Sequence, residues 1–87
     1  MRFAPRVTVP LSIVATLERR AAMVVDQLNW TFGPANAHEL ALVLGQTSAW
    51  VETSIDIADA AMRPYGYWIS KAPYGYELQT NHTGIGA

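Results

Sequence analysis

The chain has 87 residues, which allows one small domain and no second core. It is 51% apolar and only 15% charged, and a domain this small buries only about 60% of its unfolded surface, so apolar area is left for contacts with something else. The formal net charge is −1 with scattered cations, which removes the electrostatic case for a nucleic-acid partner; with no cysteine, disulfides and thiolate metal sites are excluded.

Arg2 and Arg6 precede an apolar run from Val7 to Leu17. Glu18-Arg19-Arg20 follows at once with no small-residue cleavage pattern, so the run does not read as a signal peptide. It is also too short to span a bilayer. The expectation is a soluble protein, in a virion or the cytoplasm and not secreted by a classical signal. The run instead starts an amphipathic helix over about 9–30, with Thr8 as cap and Pro10 in the first turn. Its seam is Val14, Leu17, Ala21, Val24 and Leu28, in steps of three and four. Gly33-Pro34 ends it near Trp30. Asn29-Trp30-Thr31 and Asn81-His82-Thr83 match the N-x-T triplet and carry no weight without a secretory signal.

The link from Thr31 to Ala35 is short, so the next helix should be an antiparallel neighbour. Asn36 and Glu39 have capping-box spacing and open a helix over about 36–63, about 40 Å long at 1.5 Å per residue. Gly45 inside it costs on the order of 1 kcal/mol relative to Ala. Two apolar stripes run along this helix. One is Leu40, Val43, Thr47, Trp50, Ser54, Ile57 and Ala61; the other is Leu44, Ser48, Val51, Ile55, Ala58 and Met62. A helical hairpin covers only one, so the second must meet the C-terminal segment, another copy of the chain or a different protein. If Trp50 is a packed core position, Trp50→Ala should cost roughly 3–5 kcal/mol, and a loss below about 1 kcal/mol would mean the seam is misplaced.

Between the two helices, Trp30-Thr31-Phe32-Gly33 resembles the turn of the secreted WXG helical-hairpin proteins over four residues. The spacing is W-x-x-G where that family has W-x-G, and the matching tail motif is absent, so the family is not adopted.

Past Arg63 the motif Pro64-Tyr65-Gly66-Tyr67 recurs as Pro73-Tyr74-Gly75-Tyr76. The first copy reads as the turn leaving the helix. The second reads as a hairpin turn with Pro at the second position and Gly at the fourth. That turn sets Ile69 opposite Leu78 and Trp68 opposite Gln79. Residues 64–80 are therefore an aromatic β-hairpin, or alternatively an extended arm, and 81–87 a flexible tail.

Chemistry-bearing residues are few. Glu52, Asp56 and Asp59 share a helix face with no histidine at ligand spacing, and Arg63 lies one turn beyond Asp59. They read as a solvated acidic face, one that could meet Arg19 or Arg20 of a neighbouring helix. His38 and His82 are isolated, and Gly84-Ile85-Gly86 has no helix after it to cradle a phosphate. No catalytic residue, metal site, cofactor or small-molecule ligand is expected.

The sequence thus predicts one domain over 1–87, mainly α: an antiparallel hairpin of two long helices, then a short aromatic β-hairpin or extended arm. Tyr65, Tyr67, Trp68, Tyr74, Tyr76, Leu44, Val51, Ile55 and Met62 are the expected partner-interface residues, since Tyr and Trp often dominate binding energy. The expected role is a non-enzymatic structural subunit of a larger assembly, with a small bacteriophage virion component (capsid or head–tail accessory) as the example. The alternative is a small dimeric helical adaptor or regulator. Partners are then the chain itself or other subunits, with no nucleic acid and no membrane.

Overall fold

A computed structural model describes residues 7–31 and 33–82. The expected tail falls mostly on residues 83–87, and with it Thr83 and Gly84-Ile85-Gly86; like Arg2 and Arg6, these lie outside the described residues. The described residues form four helices, α1 (Leu11–Val14), α2 (Arg19–Trp30), α3 (Ala37–Leu44) and α4 (Ser48–Met62), then a 3₁₀ turn (Arg63–Tyr65) and two strands, β1 (Tyr67–Ala72) and β2 (Gly75–Thr80).

The hairpin of two long helices is therefore corrected to a small mixed α/β domain in which only the fourth helix is long. Both expected helices are broken, each for a local reason. In the first, the Thr16 hydroxyl donates to the Ile13 carbonyl at 2.7 Å, and the backbone N–H groups of Thr16 and Leu17 close tight turns onto Ile13 and Val14. A threonine competing in this way for a helix carbonyl favours an end over a continuation. In the second, Gly45 adopts φ +67 and the Gln46 N–H donates back to the Ala41 carbonyl at 2.9 Å, which closes α3. Two residues on, the Thr47 hydroxyl accepts from the Trp50 N–H at 3.0 Å and opens α4. Gly45 is a stop signal and not a costly interior residue.

Other local expectations hold. Asn36 and Glu39 form a reciprocal capping box, the Asn36 side chain accepting from the Glu39 N–H at 2.8 Å and the Glu39 carboxylate from the Asn36 N–H at 2.9 Å. The hairpin turns at Pro73-Tyr74 and pairs Ile69 with Leu78 and Trp68 with Gln79. The first Pro-Tyr-Gly-Tyr copy does leave the helix, with Gly66 at φ +87 after the 3₁₀ turn.

One element has no counterpart in the sequence reading. Ala35 bridges the outer edge of β2, donating to the Tyr76 carbonyl at 3.1 Å and accepting from the Tyr76 N–H at 2.7 Å. The interhelical link is thus tied to the sheet edge by a single β-bridge. Gly75, at φ +136, allows it, because a Cβ there would lie 2.5–2.7 Å from backbone atoms of Ala35 and Asn36.

The core lies between α2, α4 and the inner face of the hairpin. Val24, Val25, Val51, Ile55, Ala58 and Met62 are fully buried, and Ile69 and Leu78 close the sheet side. Buried Ser54 satisfies its hydroxyl on the Trp50 carbonyl at 2.7 Å. Of the two stripes, Val51, Ile55, Ala58 and Met62 are covered by the chain itself, β1 packing on α4. The other stripe is only half covered: Leu40 and Ser54 are buried, Trp50 and Ile57 half-buried, and Val43 and Ala61 exposed.

Candidate interaction surface

The expected interface residues divide by burial. Val51, Ile55 and Met62 sit at 0% exposure in the chain's own core, so in this fold they present nothing to a partner. Leu44, Tyr67 and Tyr76 are half-buried and pack against that core. Trp68 is half-buried on the face of the hairpin opposite Ile69 and Leu78, next to Gln79, Ser70 and Glu77. Tyr65 and Tyr74 are exposed. The two Pro-Tyr-Gly-Tyr copies therefore repeat one design, an outward tyrosine, a positive-φ glycine and a packed tyrosine, at opposite ends of the hairpin.

Among the described residues four further large apolar side chains are exposed: Leu11 at 74%, Trp30 at 73%, Leu42 at 70% and Val43 at 63%. The sequence reading did not put these at an interface. Hydrogen bonds and connectivity bring all four to one end of the molecule, with Tyr74. Asn29 holds the segment before α1 by donating to the Val9 carbonyl (3.1 Å) and accepting from the Val9 N–H (2.8 Å), which places Leu11 near the last turn of α2. Ala35, five residues past Trp30, is bonded to Tyr76 next to the hairpin tip that carries Tyr74. The first turns of α3 and α4 and residues 71–76 of the hairpin share the walls of one cleft, so α3, with Leu42 and Val43, lies at that end as well. Among the described residues only Tyr65, of the exposed large apolar side chains, belongs to the opposite end.

The cleft itself is open, about 440 Å³, with Asn36, His38, Ser48, Glu52, Lys71 and Tyr76 on its walls. Its charges are partly spent. Lys71 donates to Asp56 at 2.6 Å, and that hydrogen bond raises the lysine above its ordinary value. Burial, and then the nearby Glu52 carboxylate, raise the Tyr76 phenol. No hydrogen bond links His38 or Ser48 to Glu52 among the described residues, so no nucleophile and base are paired there. Nor does any group of three or more His, Cys, Asp or Glu among those residues have the arrangement to hold a metal ion.

The acidic face of α4 is turned to the hairpin and not to Arg19 or Arg20, and Arg20 pairs with Glu18 at 3.1 Å. Asp59 does the most structural work. Its Oδ2 meets Arg63 Nε at 3.0 Å and its Oδ1 accepts from the Ile69 N–H at 2.8 Å, which ties the free edge of β1 to the helix. A carboxylate bond to a partly buried amide contributes about 1.5–3 kcal/mol. Asp59→Ala should therefore lower stability by about 2 kcal/mol in urea denaturation, whereas Asp56→Ala, which loses only an exposed pair, should cost under about 1 kcal/mol. Equal losses would remove Asp59 from this role.

No helix among the described residues is long and apolar enough to cross a membrane. Comparison of the chain with protein-family models, with curated proteins and with solved structures finds no match.

Proposed function

We propose that this chain is a non-enzymatic subunit that works by docking onto protein, and that its working surface is the end bearing Trp30, Leu42, Val43 and Tyr74. The observation that carries this reading is the gathering of exposed apolar side chains at one end of a domain whose own core is already complete. Water-exposed apolar area is a cost unless something covers it, and five large apolar side chains left exposed toward one end of so small a domain favour an interaction site there. Aromatic anchors are what such sites use most. A small virion component is one instance of the role, in keeping with the low charge and small size of the chain.

The test is co-migration in an extract of the protein's source. The chain is expected to run with a species well above its own 9.5 kDa, and Leu42→Glu/Val43→Glu should release it as a free chain. Both residues are exposed, so the double variant should keep its fold, with a melting temperature close to that of the parent. A parent chain that runs free at its own mass would rule the reading out.

A further inference from the structure

We infer that the cleft at this end receives an arginine side chain of an unlike protein partner, with Glu52 as its counter-ion. The inference rests on the docking reading above and adds the chemistry of the partner.

The cleft and part of the exposed apolar surface adjoin by chain geometry. The cleft is one open hollow of about 440 Å³, room for one long side chain, walled by the first turns of α3 and α4 and by the hairpin around its tip. Exposed Tyr74 lies between Pro73 and Gly75, which both line it. Exposed Leu42 stands one helical turn beyond His38 on the same face of α3, and His38 is a wall residue.

Charge then selects the occupant. Glu52 is exposed in the wall and makes no hydrogen bond or ion pair among the described residues. It stands close enough to Tyr76 to raise the phenol, second only to burial. Lys71, the one cation of the wall, is held by Asp56 at 2.6 Å. The two helix starts each add about half a positive charge. Glu39, in the first turn of α3, with Glu52 and Asp56 outweighs Lys71 and those helix starts and leaves a balance of about −1. Asp26, one turn before Trp30, has the same sign. A second copy presenting this end would bring like charge to like, whereas a basic partner is complementary. Arginine suits the site better than lysine. Tyr76 in the wall and Tyr74 at the rim offer aromatic surface on which a guanidinium packs while its N–H groups reach the carboxylate.

NMR of the purified chain, titrated with an acetyl- and amide-blocked Leu-Arg-Leu peptide, tests this. The expected result is saturable movement of the Ala37, Glu52 and Tyr76 amide signals, with the matching citrulline and glutamate peptides at least about fivefold weaker. Glu52→Gln removes an exposed charge and should keep the fold, yet weaken Leu-Arg-Leu at least about fivefold; Glu77→Gln, on the other face of the hairpin, should leave it unchanged. No saturable movement, an equal response to citrulline, or a preference for the glutamate peptide would each overturn the inference, the last by giving the cleft to an anion. Movement of the same signals with protein concentration alone would give it to a second copy and overturn the unlike partner. A chain that still co-migrates with its larger species in extract as Glu52→Lys, yet is released by Leu42→Glu/Val43→Glu, would overturn the arginine contact alone and leave the docking reading standing.

Discussion

Gly75→Ala is expected to lower stability by about 3 kcal/mol or more. Two separate costs meet at this position. Gly75 holds φ +136, a conformation L side chains rarely adopt, which is a strain of order 1–3 kcal/mol. A Cβ would also lie 2.5–2.7 Å from the backbone of Ala35 and Asn36, which no side-chain rotation can relieve. Relief requires the interhelical link to retreat, giving up the paired hydrogen bonds between Ala35 and Tyr76, each worth about 1 kcal/mol. Gly45→Ala supplies the contrast. Gly45 also has positive φ, +67, but nothing lies within 4 Å of its Cβ position, so only the backbone term of about 1 kcal/mol remains. Urea denaturation followed by circular dichroism separates the two. Equal losses would mean that the Ala35 bridge does not bind the sheet to the helical layer.

The second large effect is expected at Ile55. Its side chain is fully buried near the middle of α4, the helix that packs against α2, α3 and β1, so Ile55→Ala removes packed atoms from the core. A loss of about 3–5 kcal/mol follows from the cavity and transfer terms together. A chain of this length has a total stability on the order of 5–10 kcal/mol, so the loss is a third or more of it, and at the lower end of that range a large fraction unfolds. Trp50→Ala is the informative comparison. Trp50 packs against the core without being enclosed by it, so its truncation should cost about 2–3 kcal/mol, at or below the low end of the 3–5 kcal/mol a packed core position implies. A Trp50 loss exceeding the Ile55 loss would reverse the assignment of the two stripes.

These two stripes show where the sequence was legible and where it was not. Local signals that depend on a few adjacent residues translated directly into structure: the Asn36–Glu39 box, the Pro73-Tyr74 turn and the Ile69–Leu78 register. The break at Gly45 was also present, as a glycine two residues ahead of a threonine cap, but the apolar spacing continued across it. Helices α3 and α4 both turn apolar residues to the same core, so periodicity stayed in phase while the backbone did not. Which stripe would be covered was a tertiary matter, decided by where β1 lands on α4. The Ala35 bridge left no pattern to find, since one residue has no period. Tyr74 was expected at an interface from its sequence, but Leu11, Trp30 and Leu42 were not: they come from three further segments that only the fold brings toward it, through Asn29–Val9 and Ala35–Tyr76.

The central claim is that this end is covered when the protein is at work, and Trp30 reports on it directly. In a chain carrying Trp50→Phe and Trp68→Phe, Trp30 is the sole indole, and its accessibility to acrylamide can be measured by fluorescence quenching. The account predicts strong quenching in the dilute free chain, where Trp30 is 73% exposed, and a several-fold loss of quenching in the species recovered from its source. Equal quenching in both, or recovery only as the free chain, would contradict it.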